Sequence, residues 1–171
     1  QSRHPIVESF VGNSEFVAND LSMDQSSKVL LITGPNMAGK STVMRQVALC
    51  AILSQIGSYV PCKAAVLPIF DNIFTRVGAS DDLALGLSTF MVEMKEAAHI
   101  LRYATSKSLL ILDEVGRGTS TEDGLALAHA IIDHIAKKIK SWTLFATHYH
   151  ELTDMDVKFD RIRNHHMSIT E

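Results

Sequence analysis

Three continuous apolar runs organise the chain: "KVLLIT" at 28–33, "SLLILDE" at 108–114 and "WTLFATH" at 142–148. A strand buried on both faces reads as such a run, because neither side of its pleat meets water. Helical patterns lie between the runs. From Ser41 to Ile56, the residues Val43, Met44, Val47, Ala48, Ala51 and Ile52 recur on one stripe, and Gly57 is placed to stop that helix. Residues 90–104 repeat the pattern, with Phe90, Met94, Ala97 and Leu101 on one face. A third helix runs from an N-cap at Ser120 or Thr121 to about Lys140. Glu122 and Asp123 sit in its first turn and Lys137, Lys138 and Lys140 near its end, as the helix dipole favours. Apolar strands alternating with helices predict an α/β fold, a mainly parallel sheet covered by helices. The first 27 residues, with "HPIVES" and "EFVAND" around Gly12-Asn13-Ser14, predict short strands, a small antiparallel region. Residues 59–78 predict one or two short strands with loops, and 79–88 a loop.

A length of 171 residues suits one domain with its own core. The formal net charge of −3 argues against a domain that grips nucleic acid by itself, which calls for a basic footprint. The cysteines, Cys50 and Cys62, lack CxxC spacing and read as reduced core thiols. No apolar run is long enough to span a membrane, and no signal peptide is visible. The chain opens on Gln1, so the expectation is an excerpt of a longer multidomain protein.

The candidate chemistry sits at strand ends. "GPNMAGKS" (34–41) matches G-x-x-x-x-G-K-[ST] directly after a predicted strand and at a helix start, the context that defines a phosphate-binding P-loop. Gly34 and Gly39 let backbone N–H groups curl toward phosphate oxygens, and the helix N-terminus adds positive potential. Lys40 brings a cation toward the β- and γ-phosphates, and Ser41 a hydroxyl for Mg²⁺. Asp113, ending the apolar run "LLILD", is the expected second metal group; the plainer role is a helix cap at a strand end. Glu114 follows at once and is a candidate base for water, the plainer role being a surface salt bridge.

His148 closes the third run, at the rim where parallel sheets bind ligands. It is either a γ-phosphate or water contact or a structural histidine. "HEL" at 150–152 lacks the second histidine of a zinc motif, and His165-His166 read as structural. Ser88 and Thr89 precede the 90–104 helix, where a hydroxyl either caps or meets phosphate. Met91 and Met94 read as core fillers.

Together "GPNMAGKSTVMRQ", "FTRVGASDDL", "STFMVEM", "LDEVGRGTSTEDG" and "FATHYHEL" resemble the ATPase domain of the MutS family of DNA mismatch-repair proteins, over nearly the whole chain. The P-loop alone is generic; the other blocks in this order are specific. One departure is Ala38, where many members carry Gly. The resemblance implies an ABC-like ATPase working as a dimer, with ATP or ADP and Mg²⁺ bound. On that likeness Gly34, Pro35, Asn36, Met37, Ala38, Gly39, Lys40, Ser41 and Thr42 hold phosphates and metal, and Ser41 and Asp113 serve the Mg²⁺. Lys40, Glu114 and His148 carry the chemistry. Phe16, by its residues a core position, would stack on adenine, and residues 1–27 would form the adenine side of a P-loop core at 28–171. Ser88 would reach the ATP of the opposite subunit, "GRGTST" (116–121) would cross the interface, and Asp81 and Asp82 would link nucleotide state to the rest of the protein. The implied partners are a second copy or paralogous subunit, mismatched double-stranded DNA read by domains not present here, and downstream proteins such as MutL. The implied place is the bacterial cytosol, near the nucleoid. Two alternatives stand beside a mismatch-repair ATPase: a paralogue acting in recombination, and a nucleotide-gated dimerisation module with little turnover.

Overall fold

The structure, a computed structural model, describes residues 1–12, 14–35, 37–77 and 89–168. Among the described residues five strands form one sheet: β1 (Val29–Thr33), β2 (Ile73–Arg76), β3 (Leu109–Asp113), β4 (Trp142–Ala146) and β5 (Ile162–His166). Their spatial order is β2-β3-β4-β1-β5, and every neighbouring pair is parallel. All residues of β1, β3 and β4 are buried, which is why these three runs read as unbroken apolar stretches.

Alternate residues of each strand enter different cores. Leu30, Ile32, Leu109, Ile111 and Leu144 pack with Met44, Ala48 and Ala51 of α2 (Lys40–Gln55). Val29, Leu31, Leu110, Leu112 and Phe145 pack with Ala97 and Ile100 of α3 (Thr89–Tyr103) and with Ala128, Ile131 and Ile132 of α4 (Thr121–His134). Each fully buried aliphatic side chain contributes roughly 1.5–3 kcal/mol, so this two-sided burial fixes the sheet. Ser120 is the N-cap of α4, its Oγ accepting from the Asp123 N–H at 3.2 Å. After His134 the chain widens into a π-helical turn, Ile135–Ile139, and stops at Lys140 in the left-handed region (φ 60°). The helix thus ends without a glycine, its last N–H reaching back to Ile135 O at 2.7 Å.

The N-terminal segment departs from the strand expectation. "PIVESFV" is a helix, α1 (Pro5–Val11). Pro5 suits the first helical turn, whose N–H is unused, and His4 caps the helix by accepting the Val7 N–H on Nδ1 at 3.3 Å. Antiparallel pairing among the described residues of this region amounts to two isolated bridges, Ser2 with Asn19 and Ser2 with Cys62. Between 59 and 78, β2 is one short strand of the main sheet. Met91 is exposed rather than core, because the buried stripe of α3 runs through Glu93, Ala97 and Ile100. Cys50 is buried and Cys62 half-buried, both as free thiols.

Candidate active site

The C-terminal ends of β1, β4 and β3 lie side by side, and each delivers candidate residues to the same edge. At the end of β1 the chain turns at Gly34, which passes close beneath the segment after β5. A Cβ there would lie 2.4 Å from Met167 O, so no larger residue fits. Gly39 takes φ 82° as the N-cap of α2, a left-handed conformation glycine adopts without steric cost. Lys40, first in the helix and 2% exposed, curls back to donate to Gly34 O (2.7 Å) and Pro35 O (3.0 Å). A buried ammonium is tolerated only when hydrogen-bonded, and these bonds hold it over the loop. The Ala38 N–H closes the turn on Pro35 O at 3.1 Å, Met37 points outward at 92% exposure, and Thr42 is half-buried at the third helical position.

Ser41 Oγ donates to Asp113 Oδ2, joining α2 to the end of β3. The second oxygen, Asp113 Oδ1, is buried and has no hydrogen-bond partner among the described residues. Burial pushes the Asp113 carboxyl above the usual range; the Ser41 hydrogen bond opposes this, the Glu114 charge adds to it, and Lys40 and Arg45 pull it back. A buried carboxylate oxygen beside a serine hydroxyl could supply two of the oxygen ligands that a hard divalent cation takes. Among the described residues no group of three or more His, Cys, Asp or Glu gathers as a metal cage. A partial protein shell suits Mg²⁺, which keeps waters and substrate phosphates as its other ligands.

Glu114 directly follows β3 and takes the left-handed region (φ 53°), with its N–H on Ala146 O at 3.0 Å. A non-glycine residue there is held at a cost of about 1–3 kcal/mol, and the turn brings Glu114 next to Asp113 at the same strand end. Its carboxylate pairs with Arg117, so the salt-bridge reading of this residue is realised at the site. His148 follows β4, between the loop after β1 and the acidic end of β3; it is exposed, with its ring 4.1 Å from that of Tyr149. His166 is tied to β1 through Thr33 Oγ1 at 3.3 Å, which fits a structural histidine.

Phe16 is not a core residue. It is half-buried under the Arg3 guanidinium, 5.2 Å from the ring centroid, and its carbonyl accepts from Arg3 at 3.0 Å. None of the described contacts joins it to the phosphate loop. Asn36, Asp81, Asp82 and Ser88 lie outside the described residues. Glu93 of α3, 3% exposed, was not singled out by the sequence patterns; it accepts the Gly116 N–H and lies 3.9 Å from Arg76. The available signal was a carboxylate on the apolar stripe, four residues before Ala97 and seven before Ile100.

A phosphate loop between β1 and α2, with a serine–aspartate pair spanning to the next-but-one strand of a parallel sheet, defines a P-loop ATPase-type α/β domain. Residues 30–171 match the family model described as MutS domain V, and the chain belongs to the MutS family. It is 60% identical over 170 residues to a DNA mismatch repair protein MutS of Acetivibrio thermocellus, covering 99% of this chain and 20% of that protein. It is 60% identical over 172 residues to the MutS of Finegoldia magna and 57% over 171 residues to that of Listeria innocua, each match covering 100% of this chain and 20% of the relative. The chain thus spans about a fifth of the length of these relatives.

Proposed function

We propose that this domain binds ATP with Mg²⁺ and hydrolyses it to ADP and phosphate, and that this turnover drives the conformational cycle of a DNA clamp in mismatch repair. The observation that carries the reading is the Ser41–Asp113 pair with its unpartnered carboxylate oxygen, set beside a loop that already orients Lys40. The names of its relatives support the repair context.

Loop N–H groups and the α2 N-terminus would hold the β- and γ-phosphates, with Lys40 exchanging its carbonyl partners for phosphate oxygens. Ser41 and Asp113 would hold Mg²⁺, which neutralises phosphate charge during transfer. Glu114 would take a proton from water as that water attacks the γ-phosphorus and the bond to the ADP oxygen breaks. General-base assistance of this kind contributes roughly 10²–10⁴-fold. His148 would orient the water or the γ-phosphate. Ser88 would contact the ATP of a partner subunit, a second copy or a paralogue. Mismatched DNA and proteins such as MutL would be engaged by other parts of the whole protein, which would work in the cytosol.

Lys40→Ala is expected to abolish measurable ATP binding by calorimetry at concentrations that saturate the wild type. Unchanged affinity would remove Lys40 from the site. Mixing Ser88→Ala with Lys40→Ala protein tests the assignment across subunits: activity above that of either variant alone supports it, and no gain opposes it.

A further inference from the structure

The loop after Glu114 is gripped from opposite sides at one residue. The Gly116 N–H is taken by the buried carboxylate of Glu93, and the Gly116 carbonyl accepts from the Tyr149 hydroxyl at 3.1 Å, also buried. The two gripping groups come from different elements, α3 and the segment after β4. Glu93 is itself oriented, with Arg76 3.9 Å away at the end of β2 and Arg76 Nε on Glu96 at 2.9 Å. Two residues further on, the loop presses against the first turn of α3: a Cβ at Gly118 would meet the Phe90 backbone at 3.2 Å. On the other flank a Cβ at Gly116 would lie 2.6 Å from Gly124 O, so α4 closes the remaining side. A carboxylate only 3% exposed in an apolar stripe carries a desolvation cost that packing alone would avoid by using a leucine.

We propose that Glu93 and Tyr149 are positioning residues that clamp the Gly116 peptide and thereby set where the Glu114 carboxylate can reach. This rests on Glu114 acting as the base in the proposed hydrolysis. The clamp acts through the backbone two residues from Glu114, whose own N–H is fixed to β4. Misplacing a reacting group by about 1 Å costs on the order of 100-fold in rate, so a loose Gly116 lowers turnover without touching nucleotide affinity.

The test uses the intact protein and two independent readouts. Hydrogen exchange of the amides at 115–118 reads the clamp whether or not ATP is hydrolysed. Single-turnover hydrolysis and binding of a fluorescent ATP analogue read its consequence. Glu93→Ala is expected to speed exchange there about tenfold and to slow hydrolysis about 10- to 100-fold, with affinity kept within about threefold. Glu93→Gln keeps a carbonyl acceptor for the Gly116 N–H and is expected to restore most of both. Tyr149→Phe removes only the hydroxyl, is expected to move both readouts in the same direction by less, and carries the test if Glu93→Ala does not fold. Unchanged exchange in Glu93→Ala or, failing that, in Tyr149→Phe overturns the clamp. Faster exchange with normal hydrolysis overturns its positioning role. If Glu114→Gln also hydrolyses normally, the proposed function fails as well, whereas a slow Glu114→Gln confines the failure to the clamp.

Discussion

Gly124 lies in the first turn of α4, where alanine would ordinarily be the better residue. In an exposed helix, Gly→Ala gains about 1 kcal/mol. Here a Cβ would sit 2.1 Å from Tyr149 Oη and 2.3 Å from Gly116 O, both far inside van der Waals contact. Forcing a methyl into such a site costs about 1–3 kcal/mol. Pushing the tyrosine aside also loses its hydrogen bond to Gly116, about 1 kcal/mol. The sum, less the helix gain, predicts that Gly124→Ala destabilises the domain by about 1–3 kcal/mol. At roughly 2–4 °C per kcal/mol for a chain of this size, Tm falls by about 2–12 °C. Thermal unfolding followed by circular dichroism reads it directly. Tyr149→Phe removes the nearer clash, so the double variant is expected to lose less than the two single losses added together. A more stable Gly124→Ala, or strict additivity, would refute the close packing of α4, the Gly116 loop and Tyr149.

Three further outcomes are expected. Lys40→Ala, in removing the ammonium that would exchange its Gly34 and Pro35 carbonyl partners for phosphate oxygens, abolishes ATP binding measurable by calorimetry at concentrations that saturate the wild type. Asp113→Asn raises the Tm of the nucleotide-free protein at neutral pH, because burial disfavours the ionised carboxylate in the fold. That gain closes as pH falls below the folded and then the unfolded carboxyl pKa. Mg-ATP meanwhile ceases to add the about 2.7 kcal/mol expected at a hundredfold excess over Kd. Burial holds the His4 imidazole below its usual pKa. Its capping bond needs the neutral ring, so this stability is complete above about pH 6.5 and is lost as pH falls through the folded pKa. His4→Asn, a cap that does not titrate, flattens that dependence in melts between pH 8 and 5.

The sheet and the phosphate loop were legible because burial on both faces leaves an unambiguous apolar run and because the loop spacing is dictated by phosphate geometry. α1 was misread because "PIVES" satisfies a short strand pattern as well as a helix. Only the His4 cap and Pro5 at the first turn, both local, decide between them. β5 gave no clear pattern, since only Ile162 among its five residues is buried at this sheet edge. Glu93 and Tyr149 escaped for a different reason. Their roles come from contacts with Gly116, 23 and 33 residues away in sequence, and no periodicity records such pairs. Asp113 and Ser41, 72 residues apart, were legible only because the P-loop pattern names the partner it needs.

The proposed hydrolysis rests on Glu114 acting as the base at an ATP site built from the loop at 34–41 and Asp113. Single-turnover hydrolysis by Glu114→Gln, measured alongside nucleotide binding in the same preparation, isolates that role. ATP should bind within about threefold of wild type while hydrolysis slows by about 10²–10⁴-fold. Hydrolysis at the wild-type rate, with ATP bound normally, would exclude Glu114 as the base.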